Sequence, residues 1–270
     1  MPLGPNRWGK TDVRVSKVIR GGDADDFLDL TVQVLLQGDV AAAHTKGDNS
    51  GVVPTDTMRN TVYGLAQGHL TRDLEAFGDV LCRHFLTKPS VDGAEVTISE
   101  KIWLRQSGKG FVGGGSERRR ARVVRGPEDS TSGGIEGLVV LKTSGSAFEG
   151  YPKDEFTTLP ETSDRVLATS VTADWLYSTV PSDTSATWSR VRQVLVDSFF
   201  QDWSASVQHQ GFLMGEAVLE AVPEISEISF RLPNQHHLPF DLTPFGLDWE
   251  GTIFHPVFEP FGDIYLTVTR

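Results

Sequence analysis

Leu28, Leu30, Val32, Val34 and Leu36 alternate with mostly polar neighbours, the period of a strand with one buried face. Val13, Val15 and Ile19 give Asp12–Arg20 a similar reading, and Gly21-Gly22 with the acidic Asp23–Asp26 makes a turn between the two runs. The period then lengthens. Met58, Val62 and Leu65 fall on one face of a helix predicted over Thr55–Ala66. Leu74, Phe77, Leu81 and Phe85 stripe a second helix, which Thr71 is placed to cap and whose positive end suits Asp73 and Glu75. Strand patterns return at Val96–Leu104 and Ala121–Val124.

The second half repeats this order. Strands are predicted at Leu138–Lys142 and Leu167–Tyr177, and helices at Ala186–Trp203 and Ser204–Val222. Two more strands follow at Glu227–Leu232 and Gly262–Thr269. Paired strands separated by paired helices predict an α+β fold of antiparallel sheets with helices on one face. The turn-forming cluster Gly126–Gly134 is the predicted joint, which divides the chain into domains at 1–130 and 131–270. The halves match in layout and not residue by residue.

Composition narrows the function classes. Hydrophobic residues make up 39% of the 270 and charged residues 23%, as in a folded globular protein. Twenty-five basic against 36 acidic residues leave a formal charge of −11, which argues against a nucleic-acid surface. A few inward-pointing cations can still bind a small anion. The single cysteine, Cys82, permits no internal disulfide and no thiolate metal cluster. Met1–Lys10 has no apolar signal core, no run is long enough to span a bilayer, and Thr267-Val268-Thr269-Arg270 is not a peroxisomal address. The expected location is cytoplasmic.

Three polar segments are candidates for chemistry. Lys46–Ser50 leads to Pro54, which extends the residue before it and sets Thr55 and Asp56 at a helix start, suited to a ligand or to capping. Gln208, beside Ser206 and Val207, offers an amide donor and acceptor, as a lactam edge requires; a surface role is the alternative. Leu232–His237 follows a strand, and its adjacent His236 and His237 point to opposite faces of an extended chain, so they do not readily chelate one metal. The glycines of Gly108–Gly115 lack a Gly-Lys-Ser/Thr ending and read as a hairpin. Arg118-Arg119-Arg120 reads as a charged edge strand.

The dispersed motifs resemble the urate oxidase family. They are Gly9-Lys10 with Val13-Arg14-Val15, Thr45–Asn49, Thr55-Asp56 with Asn60–Tyr63, Gly137–Thr143, Asp154–Arg165, Ser206–Gln208 and Leu232–His236. They run in family order over nearly the whole chain. Residues from about Gln106 to Thr131 and after Leu242 carry little of the signal. The resemblance implies two tandem tunnelling-fold domains and a barrel-like homotetramer with sites at subunit interfaces. It implies cofactor-free oxidation of urate by dioxygen and water to 5-hydroxyisourate and hydrogen peroxide, with no metal and no flavin.

Carried over by position, Phe148 stacks on the purine, Arg165 presents its planar fork to one edge, and Gln208 with the Val207 backbone grips the other. Thr55 and Asp56 complete the site from a neighbouring subunit. Lys10, Thr55 and His236 form a proton relay, and Thr55 and Asn234 hold dioxygen or water above the ring. Taken singly, these residues have plainer readings: Lys10 as a solvated lysine, Arg165 as a helix-surface ion pair, Phe148 as a core aromatic and Asn234 as a turn residue. His237 can stand in for a hydrogen bond of His236. Two rival functions are a cyclohydrolase-like enzyme, whose metal-binding His and Cys set is missing, and a urate-binding protein without turnover.

Overall fold

The apolar alternation of the first strands is realised as two long antiparallel partners. The computed structural model describes residues 3–201 and 203–270. Met1, Pro2 and Asp202 lie outside the described residues, so the readings of Met1–Lys10 and of the helix through Asp202 apply here to their other positions. Contacts divide the chain into two compact units.

The first unit comprises the chain up to Ile135 together with Asp174–Ser189. Its strands and helices are β1 (Trp8–Ile19), β2 (Asp26–Gln37), α1 (Ala41–Lys46), α2 (Thr55–His69), α3 (Leu74–Leu86), β3 (Gly93–Arg105) and β4 (Phe111–Arg125), followed by the start of β5 (Ser130–Lys142). β1, β2, β3 and β4 lie side by side, each antiparallel to the next. The even row of β2, Leu28 to Leu36, is fully buried. It packs in one cluster with Val13, Val15, Val96, Ile98, Ala121 and Val123, and with Met58, Val62, Phe77, Leu81 and Phe85 of the helices. Gly78 lets α3 lie close on the sheet, since a Cβ there would stand 2.8 Å from Val123 Cγ2. Cys82 lies in the same core, where burial pushes its thiol up to about 12 and keeps it protonated.

Two local expectations are corrected, and a third gains detail. The Arg118–Arg120 run is not an edge, because β4 has β3 on one side and β5 on the other. Strand alternation turns Arg119 inward, where it donates to Glu75 Oε2 at 2.7 Å with both side chains at 3% exposure or less. Thr71 does not cap α3; its hydroxyl accepts from the Asp73 N–H. Asp73 instead accepts from the backbone N–H groups of Thr184 and Ser185, which open α4 (Thr184–Gln201). Lastly, Ser130–Gly134 of the expected joint begins β5, and the turn before it is closed by the Gly126 N–H on Asp129 Oδ1. The Gly108–Gly115 stretch is a hairpin, with the Gln106 N–H bonded to the Gly110 carbonyl.

The second unit comprises Glu136–Ala173 and Arg190–Arg270. It holds the rest of β5, most of β6 (Leu167–Tyr177), the body of α4, α5 (Val207–Ala221), β7 (Ile225–Pro233), β8 (His236–Pro239), β9 (Phe254–Val257) and β10 (Asp263–Thr269). β7 lies between β6 and β10 and is antiparallel to β10. α5 packs on β7 and β10. Its Gly215 sits against Val268 and Phe230, and its Gly211 against Leu232 and Leu266. The expected α+β class, with antiparallel strands, is the class observed. Among the described residues no helix is long and apolar enough to cross a membrane.

The Glu75–Arg119 pair makes a stability prediction. Arg119→Met leaves Glu75 buried without its counter-charge and is expected to cost about 3–5 kcal/mol in urea unfolding. Adding Glu75→Gln to that variant is expected to recover much of the loss, and equal losses in the single and double variants contradict this account.

Candidate functional site

The predicted residues fall into two groups, one in each unit. In the first unit, Lys10 lies near the start of β1, opposite Val34. Gly9 before it allows the close pairing, since a Cβ there would meet the Val34 carbonyl oxygen at 2.0 Å. Immediately after Lys10 the register shifts, with Asp12 in the left-handed region at φ 54°. Such a bulge re-aims the neighbouring side chain. Lys10 is half-buried, and among the described residues its ammonium has no hydrogen-bond or ion-pair partner.

Thr55 and Asp56 open α2. Pro54 is the N-cap, extended at φ −60° and ψ 136°, and no side chain caps the helix. The capping reading of Thr55 and Asp56 therefore fails, and both lie exposed at the positive end. Asp56 is held by Arg59 at 2.7 Å and by Asn60 Nδ2 at 3.2 Å. The Trp8 indole N–H donates to the Val53 carbonyl at 3.1 Å, tying the start of β1 to the segment that leads into α2.

In the second unit, backbone bridges bring together residues distant in sequence. Phe148 exchanges two backbone hydrogen bonds with Thr162, and the Arg165 N–H donates to the Ser146 carbonyl at 2.7 Å. The Arg165 guanidinium carbon then lies 5.5 Å from the Phe148 ring centroid. Tyr151 stacks on the same ring at 4.8 Å, a contact that sequence reasoning missed. Phe148 is half-buried rather than a core aromatic, and Arg165 precedes a strand rather than lying on a helix. Among the described residues no carboxylate pairs with Arg165, and its Nε is buried with no hydrogen-bond partner. Burial lowers the guanidinium from its ordinary value.

Asn234 continues the inward row Ile228, Phe230 and Leu232 and is itself buried. It bridges Thr169, and its N–H donates to the Gly262 carbonyl at 2.8 Å, so it is no simple turn residue. Its Nδ2 lies 3.4 Å from His236 Nδ1. Burial, and secondarily the Arg165 charge, hold His236 below the ordinary histidine value. His237 is turned to the Gln235 carbonyl at 3.2 Å, so His236 and not His237 shares this environment.

Helix packing brings in the last two residues. Stepping back four residues along α5, from Gly215 to Gly211, moves the contact two residues along β7, from Phe230 to Leu232. These steps are of matching length, about 6 Å of helix and about 6.6 Å of strand. Val207 and Gln208 lie on the first turn of the same helix, four and three residues before Gly211. Val207 is buried and Gln208 exposed on this first turn, whose N-cap Ser206 accepts from the His209 N–H. The second unit thus presents a flat ring, an unpaired cation, a neutral imidazole and two carboxamides. That set suits a planar, hydrogen-bonding anion. Among the described residues no three His, Cys, Asp or Glu side chains are grouped to hold a metal ion.

A family model described as Uricase matches the chain twice, over residues 6–133 and 131–265. The chain belongs to the uricase family. It is 42% identical to the uricase of Arthrobacter globiformis over 99% of its own length and 90% of that protein. It is 38% identical to the uricase of Dictyostelium discoideum, covering 98% and 96%. The crystal structure of the Arthrobacter globiformis uricase superposes with a TM-score of 0.95 over 100% of this chain and 95% of that one. The family that the dispersed motifs resemble is therefore the family found, and the tandem layout is matched by two tandem hits.

The Arg165–His236 relation predicts a titration. His236 is neutral at pH 7, and protonating it brings a second cation toward Arg165. The associated stability is full above the ordinary histidine value, and it is lost as pH falls from there through the folded value. Arg165→Met is expected to raise the His236 pKa in an NMR titration, yet leave it below the ordinary value, because burial is the larger cause. An unchanged pKa contradicts the placement.

Proposed function

We propose that this uricase-family chain oxidises urate with dioxygen and water to 5-hydroxyisourate and hydrogen peroxide, using no cofactor. The observation that carries the reading is the half-buried guanidinium of Arg165, which lies against Phe148, has a buried Nε without a hydrogen-bond partner, and has no acidic partner among the described residues. A cation of that kind calls for an anion, and its planar fork fits the adjacent carbonyl and ring nitrogen of a purine edge. Phe148 stacks on the ring, and Gln208 with the Val207 backbone grips the opposite edge. Those contacts fix both plane and rotation.

Lys10, Thr55 and His236 form the proton relay. Removal of a proton from bound urate raises its electron density. Two electrons then pass to dioxygen, which bonds to C5 as a hydroperoxide. Hydrogen peroxide leaves, water adds at C5, and the relay returns the protons. Asn234 and Thr55 hold dioxygen and later water over the ring. The lowered pKa of His236 keeps it able to accept a proton near neutrality.

The site is completed between subunits. Thr55 and Asp56 come from a neighbouring subunit of a homotetramer, and the tandem tunnelling-fold domains divide at 1–130 and 131–270. The partners are urate, dioxygen and other copies of this chain, with no nucleic acid and no membrane, and the location is cytoplasmic.

The test is incubation of chelator-treated protein with urate, with and without oxygen, following urate absorbance and peroxide together. Loss of urate only with oxygen, and one peroxide per urate, is expected. Lys10→Met is expected to lower kcat by about 10²-fold or more while urate still binds. Binding without turnover by the unaltered protein overturns the reading in favour of a urate-binding protein.

A further inference from the structure

The odd positions of β6 run Leu167, Thr169, Val171, Ala173, Trp175, and all are buried. Thr169 is the one polar side chain in this apolar row, at 1% exposure. Its Oγ1 has no hydrogen-bond partner among the described residues. Valine has the same shape and would fill this position without a buried hydroxyl, whose orphaning is destabilising. A hydroxyl kept here therefore calls for a use outside the packing of the core.

The place of Thr169 in the fold says what that use is. It forms an isolated antiparallel bridge with Asn234. The Gln235 N–H donates to the Ala168 carbonyl at 2.9 Å, beside the bridge, so Thr169 and Asn234 are the non-hydrogen-bonded kind of pair. In such pairs the Cα atoms stand about 4.5 Å apart and both side chains project from the same face. The Thr169 hydroxyl and the Asn234 carboxamide are thus immediate neighbours. The carboxamide Nδ2 is directed to His236 Nδ1 at 3.4 Å, which leaves Oδ1 as its acceptor. A hydroxyl on the same face is a donor for that oxygen, one side-chain rotation or one bridging water away.

We propose that Thr169 is a positioning residue of the urate site: its hydroxyl sets the direction of the Asn234 carboxamide and, through it, the place of dioxygen above the ring. This rests on the proposed role of Asn234. Thr169 touches neither urate nor the relay. The Phe148, Arg165 and Gln208 contacts are independent of it, so its loss slows the oxygen-dependent step and spares urate binding. Its methyl group serves the core and its hydroxyl serves the site, so the two halves of one side chain separate by substitution.

The experiment compares Thr169→Val, Thr169→Ser and Asn234→Ala in the full-length protein, measuring Tm, kcat, and KM for urate and for dioxygen. Thr169→Val is expected to keep or raise Tm while kcat falls about tenfold and KM for urate stays within about twofold. Thr169→Ser keeps the hydroxyl and loses a methyl, so Tm falls and most of kcat remains. Thr169→Val placed on Asn234→Ala is expected to add no further loss, because the hydroxyl acts through the carboxamide. Activity that follows stability, with Val at least as active as Ser, overturns the proposal, and so does an undiminished effect of Thr169→Val in the Asn234→Ala background. Full activity of Asn234→Ala, or no urate oxidation by the unaltered protein, overturns instead the site reading on which it rests.

Discussion

A half-buried guanidinium with no carboxylate paired to it among the described residues is the constraint around which the second unit is arranged. Burying such a charge is costly unless something pairs with it. Arg165 has aromatic carbon beside it, an unpartnered Nε, and an imidazole that its charge helps keep neutral. An anion that arrives here relieves the desolvation, and its own proton inventory is biased toward the charged form. One interaction thus supplies both affinity and activation. It also adds to the burial that keeps the imidazole neutral, since a second cation beside the first would be repelled and could accept no proton.

Ordinary packing holds this arrangement in place. The backbone bridges at Phe148 and Thr162 and at Thr169 and Asn234 fix Phe148, Thr162 and Asn234, which lie outside the long strands. Glycines at 211 and 215 bring α5 close to β7, whose apolar row gives way to Asn234. The site lies where the core ends. In the first unit the same logic applies to Lys10, which follows a glycine that permits tight pairing and precedes a break in the ladder.

Patterns with one strong period were legible in the sequence. The even row of β2 and the stripes of α2 and α3 emerged as read, because burial on one face is what selects them. β4 was seen only at its end, since Phe111–Ser116 is glycine-rich and has no alternation to read. Arg119 was misread because a run of like charges hides a period of two, and the inward position is decided by Glu75, far away in sequence. The short α1 and the β8–β9 pair left no periodic signal. For the site, no single residue was decisive. Lys10, Phe148 and Arg165 were singled out by the order of motifs along the chain, whereas Tyr151 and Thr169 became visible only through contacts that spacing does not encode.

The central claim is that residues of two subunits make one urate site. Thr55 and Asp56 come from one, together with Lys10, whose strand the Trp8–Val53 hydrogen bond ties to their segment, and the Arg165 group comes from another. Hybrid oligomers test it most directly, made by coexpressing Lys10→Met and Arg165→Met chains with different affinity tags and purifying through both tags. Each parent alone is expected to be nearly inactive. At random mixing the account predicts recovery toward about a quarter of the unaltered activity, because that share of sites combines an intact Lys10 with an intact Arg165. Hybrids as inactive as their parents contradict it and place both groups of each site in one subunit.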